Sequence, residues 1–134
     1  MGGIVTKKTK HGRHDPRMTT LRKACRAMAL DDPEEFEGGC FDVSRTIGAL
    51  AEHLGLKARL VCGVADTGEH RETPHAWLKV DGEKFDCITE GGGPKYTKHK
   101  ERPALIALFG SDNEDFMPTP EELLEMIRVF DTGE

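Results

Sequence analysis

Asp81-Gly82 separates two short stretches, His75–Val80 and Glu83–Ile88, that are rich in strand-forming residues. This dipeptide favours a type I′ turn, whose twist matches that of two antiparallel strands. A two-residue turn permits one register. Val80 lies opposite Glu83, Lys79 opposite Lys84, Leu78 opposite Phe85, Trp77 opposite Asp86 and His75 opposite Ile88. Side chains alternate along each strand, so His75, Trp77 and Lys79 share a face with Lys84, Asp86 and Ile88. Ala76, Leu78 and Val80 share the other with Phe85 and Cys87. His75 and Asp86 become diagonal neighbours, roughly 7–8 Å apart at the backbone, within reach of a carboxylate–imidazole hydrogen bond.

The rest of the chain supplies layers for that hairpin. After an acidic link over 33–37, Gly38-Gly39 opens a helix in which Cys40, Val43, Ile47, Leu50 and Leu54 form one apolar stripe, ended by Gly55. Upstream, Thr19 or Thr20 can cap a helix carrying Leu21, Ala24, Cys25 and Met28, which ends near Asp31-Asp32-Pro33. Leu56–Ala65 reads as a strand, 66–73 as a polar loop and 90–100 as a further loop. A short helix is expected near Pro103–Phe109. Thr119-Pro120-Glu121-Glu122 starts a last helix that runs to about Phe130. The order of helix, helix, three strands, then helices predicts an α+β domain with an antiparallel sheet. Residues 1–18, basic and without apolar period, read as a flexible arm, leaving 19–134 as one domain.

Composition narrows the class. With 134 residues, 37% hydrophobic, 32% charged and a net charge of −5, the chain suits one soluble unit and does not suit a nucleic-acid-binding surface. No apolar run approaches the ~20 residues of a membrane span, and the start lacks a secretory apolar stretch, so no membrane partner and a cytoplasmic address are expected. Met1-Gly2-Gly3-Ile4-Val5-Thr6 fits the loose pattern for myristoylation, a pattern common by chance. The four cysteines read as reduced thiols.

Cys40 differs from the other three. It begins a helix, where unpaired N–H groups and the macrodipole favour a thiolate and lower the thiol pKa. Cys25, Cys62 and Cys87 fall inside helix or strand patterns and read as small core residues. If the Cys40 helix lies on the sheet face that carries His75, then Cys40, His75 and Asp86 serve as nucleophile, base and orienting acid. The same three residues are also competent zinc ligands, although no C-x-x-C pair accompanies them. His11, His14, His53, His70 and His99 are expected at the surface.

Gly38-Gly39-Cys40 and its helix, the segment from Leu54 to Val64, His75-Ala76-Trp77 and Lys84-Phe85-Asp86 resemble the transglutaminase-like superfamily over roughly residues 38–88. The resemblance implies a papain-like α+β core, with the nucleophile helix packed on a small antiparallel sheet. It also implies a Cys40–His75–Asp86 triad working through an acyl-enzyme, with no cofactor and no metal. Small stand-alone bacterial members, lasso-peptide leader peptidases among them, are often proteases. The expected substrate is a peptide, protein or small amide, either hydrolysed or passed to an amine; a catalytically inactive binding module for a protein partner is the alternative. The glutamine that papain-like enzymes use as second oxyanion donor has no counterpart, because the chain contains no glutamine.

Overall fold

The computed structural model describes residues 15–109 and 117–132. Helix α1 (Pro16–Asp31) starts earlier than the sequence pattern suggests. Asp15, not Thr19 or Thr20, is its cap: the carboxylate accepts the Arg17 N–H, and Pro16 occupies the first turn. Met18 is thereby drawn into the buried stripe with Leu21, Cys25 and Met28, so positions 16–18 of the expected arm are helix. Residues 1–14 of that arm lie outside the described residues, as do His11 and His14.

The acidic link is itself a short helix, α2 (Pro33–Gly38), capped by Asp32 and anchored by buried Phe36. Gly39 then joins it directly to α3 (Cys40–His53). A Cβ at Gly39 would lie 2.5 Å from the Glu35 carbonyl oxygen, so a side chain there would force the two helices apart. Helix α3 buries Val43, Ile47, Leu50 and Ala51 along the anticipated stripe.

Four antiparallel strands follow: β1 (Ala58–Asp66), β2 (Thr73–Val80), β3 (Glu83–Phe85) and β4 (Thr97–Glu101). They are ordered β3-β2-β1-β4. The hairpin register is the anticipated one, with Leu78 opposite Phe85, Lys79 opposite Lys84 and Val80 opposite Glu83. Asp81 and Gly82 both have positive φ, 50° and 85°, as a type I′ turn requires.

Two elements depart from the sequence reading. Strand β3 stops at Phe85 instead of Ile88, because Asp86 turns the chain into a one-turn helix, α4 (Cys87–Glu90). Its Oδ1 accepts the N–H groups of Ile88 and Thr89 at 3.1 and 3.3 Å, a local bond that competes successfully with strand pairing. The segment expected as loop over 90–100 contains β4, which pairs with β1 through Gly63–Glu101, Val64–Lys100 and Asp66–Thr97. Strand β4 crosses β1 at Gly63. A Cβ on Gly63 would fall 2.0 Å from the Lys100 carbonyl oxygen, so this crossing requires glycine.

Helix α3 packs on the face bearing Leu78 and Val80, not on the face of His75 and Trp77. Leu78 and Val80 join Ile47, Leu50 and Phe85 in the core, and Gly48 lies against Leu78. The physical reason is composition. The Leu78/Val80 face is continuously apolar, whereas the opposite face carries an imidazole, an indole and an ammonium. The 3₁₀ turn Pro103–Phe109 and helix α5 (Pro120–Thr132) complete the described chain. Thr119 and Glu122 form the anticipated reciprocal capping box, and Leu123 of α5 is fully buried. The result is a mixed α+β fold with an antiparallel sheet. No helix among the described residues is long and apolar enough to cross a membrane.

Candidate active site

Cys40 is the first residue of α3 and is half-buried, whereas Cys25, Cys62 and Cys87 are buried. The Ala76 and Phe41 backbone N–H groups act on its sulfur and favour the thiolate. One turn along, the Ser44 hydroxyl donates to the Ala76 carbonyl at 3.4 Å. The helix start is therefore fastened to the residue that follows His75, even though the body of the helix lies on the other face. Burial pushes the Cys40 thiol above its ordinary pKa, opposed by the two N–H groups and reinforced by the Asp86 charge. This reverses the lowering expected from the helix start alone. Desolvation outweighs the two backbone N–H groups.

His75 is wholly buried. Its Nε2 meets Asp86 Oδ2 at 2.7 Å, while its Nδ1 has no hydrogen-bond partner. The Tyr96 ring stacks on it with centroids 3.6 Å apart and planes 14° apart. Hydrogen bonding to Asp86 is thus as the hairpin register suggests, although the aspartate sits at a helix cap and not within a strand. No hydrogen bond joins Cys40 to His75: the two are brought to the same end of β2 without direct bonding.

The sequence reading misses His99, placed at the surface there. Its side chain is nearly buried, and its Nε2 also meets Asp86 Oδ2 at 2.7 Å. Its ring packs edge-on against Trp77, centroids 4.7 Å apart. Burial of the Asp86 carboxyl opposes its charge, yet bonds from His75, His99 and the Thr89 N–H hold its pKa below the usual range. Burial lowers the His99 pKa; the bond to Asp86 works the other way, and the nearby Lys84 charge lowers it further. Tyr96, also missed, has its phenol pushed up by burial and by the neighbouring Cys40 and Asp86 groups. Nothing in the polar segment 94–99 marks either residue. Only the shared face of Lys84 and Asp86 hints that a further polar group meets them there. Of the remaining histidines in the described residues, His70 is exposed, and His53 in the last turn of α3 lies 4.0 Å from Glu121.

Three potential metal-ligating groups gather among the described residues: His75, Asp86 and His99, with ligating atoms within 4.8 Å of one another. Cys40 is not one of them, unlike in the ligand set considered from sequence. Lys84 Nζ lies 3.2 Å from His99 Nδ1, and an ammonium can only donate. The His99 proton is accordingly assigned to Nε2, facing Asp86. With Asp86 ionised, His75 likewise donates from Nε2, and in its neutral form the lone pair lies on Nδ1. Both Nε2 atoms are engaged as donors, and the cluster reads as a hydrogen-bond network rather than a ligand cage.

A family model for the transglutaminase-like superfamily matches residues 5–99, which include Cys40, His75, Asp86 and His99. Searches of curated proteins and of solved structures returned no match. The matched span exceeds half of the chain, and the chain belongs to the transglutaminase-like superfamily.

Proposed function

We propose that this domain is a thiol-dependent acyl-transfer enzyme that cleaves a peptide or other amide through an acyl-enzyme on Cys40. The observation that carries this reading is the state of His75. A buried imidazole donates to an aspartate from one nitrogen and keeps the other unpaired, at the strand end to which the Cys40 thiol is fastened. An orphaned buried acceptor is costly, and a general base is a role that requires one.

In this mechanism the resting pair is a neutral thiol and a neutral imidazole. As Sγ attacks the substrate carbonyl carbon, His75 Nδ1 takes the thiol proton, and Asp86 stabilises the imidazolium that forms. His75 returns the proton to the leaving amine as the C–N bond breaks, leaving a thioester on Cys40. Water, deprotonated by the same nitrogen, attacks the thioester and releases the acid, restoring the thiol. An amine in place of water gives transfer, so both outcomes use one set of groups. In this reading, N–H groups at the start of α3 around Cys40 serve as donors to the oxyanion.

A second reading, an inactive binding module, draws on the raised thiol pKa and the missing Cys40–His75 bond. Cys40→Ala separates the two. The enzyme reading expects turnover of a model amide or activated ester to vanish while circular dichroism stays unchanged. Full activity in that variant rejects the assignment of Cys40.

A further inference from the structure

The Asp86 carboxylate has more donors than a three-residue triad requires. Oδ1 accepts two backbone N–H groups of α4, which fixes the plane of the carboxylate. Oδ2 accepts from two imidazoles at equal distances of 2.7 Å, His75 on one side and His99 on the other. His99 comes from β4, the strand whose approach depends on Gly63. Its outer nitrogen is occupied by Lys84, which cannot accept a proton from it and repels a second one. Trp77 packs edge-on against the ring and restricts its orientation.

We propose that His99, locked as its Nε2–H tautomer by Lys84, is a positioning residue for the thiol chemistry: it shares Asp86 with His75 and so keeps Nδ1 of His75 as the basic nitrogen. The inference rests on the acyl-transfer reading for its consequence, but not for its geometry. With His99 in place, Asp86 cannot take up a proton on Oδ2 without losing two donors, so it remains an acceptor. His75 must then donate from Nε2, and its lone pair stays on Nδ1, the nitrogen without a hydrogen-bond partner. Without His99, one position on Oδ2 opens, the carboxylate is freer to protonate or rotate, and the His75 tautomer is no longer imposed.

The test uses the full chain with ¹⁵N-labelled histidine, comparing wild type, His99→Gln and His99→Phe. Gln keeps an N–H able to reach Asp86; Phe keeps the ring shape without a donor. Ring nitrogen shifts should show a single Nε2–H tautomer for His75 in the wild type and in His99→Gln, and a mixture in His99→Phe. Cys40-dependent turnover of an activated ester should fall about tenfold in His99→Phe, as loss of one buried charge-assisted bond implies, and recover severalfold in His99→Gln. An unchanged His75 tautomer in His99→Phe, or equal losses with Gln and Phe, overturns the proposal.

Should His99→Phe fail to fold, the exposed change Lys84→Met remains decisive. The charged and titratable groups facing the His99 ring are Lys84, Asp86 and His75. Removing the ammonium should move protonation of His99 to higher pH in the ring shifts; titration as in wild type contradicts the lock. Because the nuclear magnetic resonance measurements need no turnover, a failed acyl-transfer reading and a failed role for His99 give different results.

Discussion

At the scale of single residues, solvent access and hydrogen bonding separate Cys40 and Asp86 from their look-alikes. Cys25 and Cys87 are completely buried and Cys62 is nearly so, leaving Cys40 the cysteine a small electrophile reaches first. Limited alkylation followed by peptide mapping should place the first label on Cys40. Because burial raises its thiol pKa, the labelling rate should climb through the alkaline range, with a midpoint above that of an ordinary cysteine. A midpoint below neutral pH would indicate a preformed thiolate and contradict the neutral resting pair. Asp86→Asn keeps the shape of the side chain but places an amide where both imidazoles donate. It should lower turnover by about two to four orders of magnitude, with a smaller loss of stability, as the amide no longer fixes the histidine tautomer.

Among the elements, legibility follows how local the determining interaction is. Asp81-Gly82 fixes the β2–β3 register because a two-residue turn leaves no freedom, and the Gly39-Cys40 helix is readable because its apolar period is uninterrupted. The short helix after Phe85 is hidden by a competition: residues 83–88 alternate like a strand, but Asp86 caps its own successors. Strand β4 carries Thr97, Lys98, His99, Lys100 and Glu101, with no apolar alternation, since it is an edge strand exposed along most of its length. Its place is set by a partner over thirty residues away in sequence, and His99 was invisible for the same reason. The side on which α3 docks is also non-local, decided by which sheet face is wholly apolar. Gly63→Ala tests this account of β4: a methyl group 2.0 Å from a carbonyl oxygen must displace the strand. Overpacking of this kind costs about 1–3 kcal/mol, measurable in urea unfolding, and His99 should lose its bond to Asp86. Unchanged stability and ring shifts would remove the requirement for glycine at the crossing.

For the whole molecule, the buried network couples stability to pH. Asp86 has a folded pKa below its unfolded one, so its contribution is present above the ordinary carboxylate range and disappears as pH falls through the folded value. His99 also has a depressed folded pKa, because the folded state disfavours its second proton. Its contribution is complete above the ordinary histidine value of about 6.5 and is lost on acidification below it. Urea midpoints, followed by the fluorescence of Trp77, the single tryptophan, should therefore decline from about pH 6.5 downward and decline again below about pH 4. His99→Phe should flatten the first decline and shrink the second, because Asp86 then loses one of the bonds that lower its pKa; an identical profile in the variant would show that His99 contributes to neither. In the proposed mechanism the same network sets the base that serves Cys40. The most direct measurement is mass-spectrometric mapping of the acyl group after brief exposure to an activated ester near neutral pH. The account predicts one acyl group, on Cys40, absent in Cys40→Ala and formed at least tenfold more slowly in His75→Ala. Acylation of Cys40 at an undiminished rate without His75, or an acyl group on another residue alone, would contradict it.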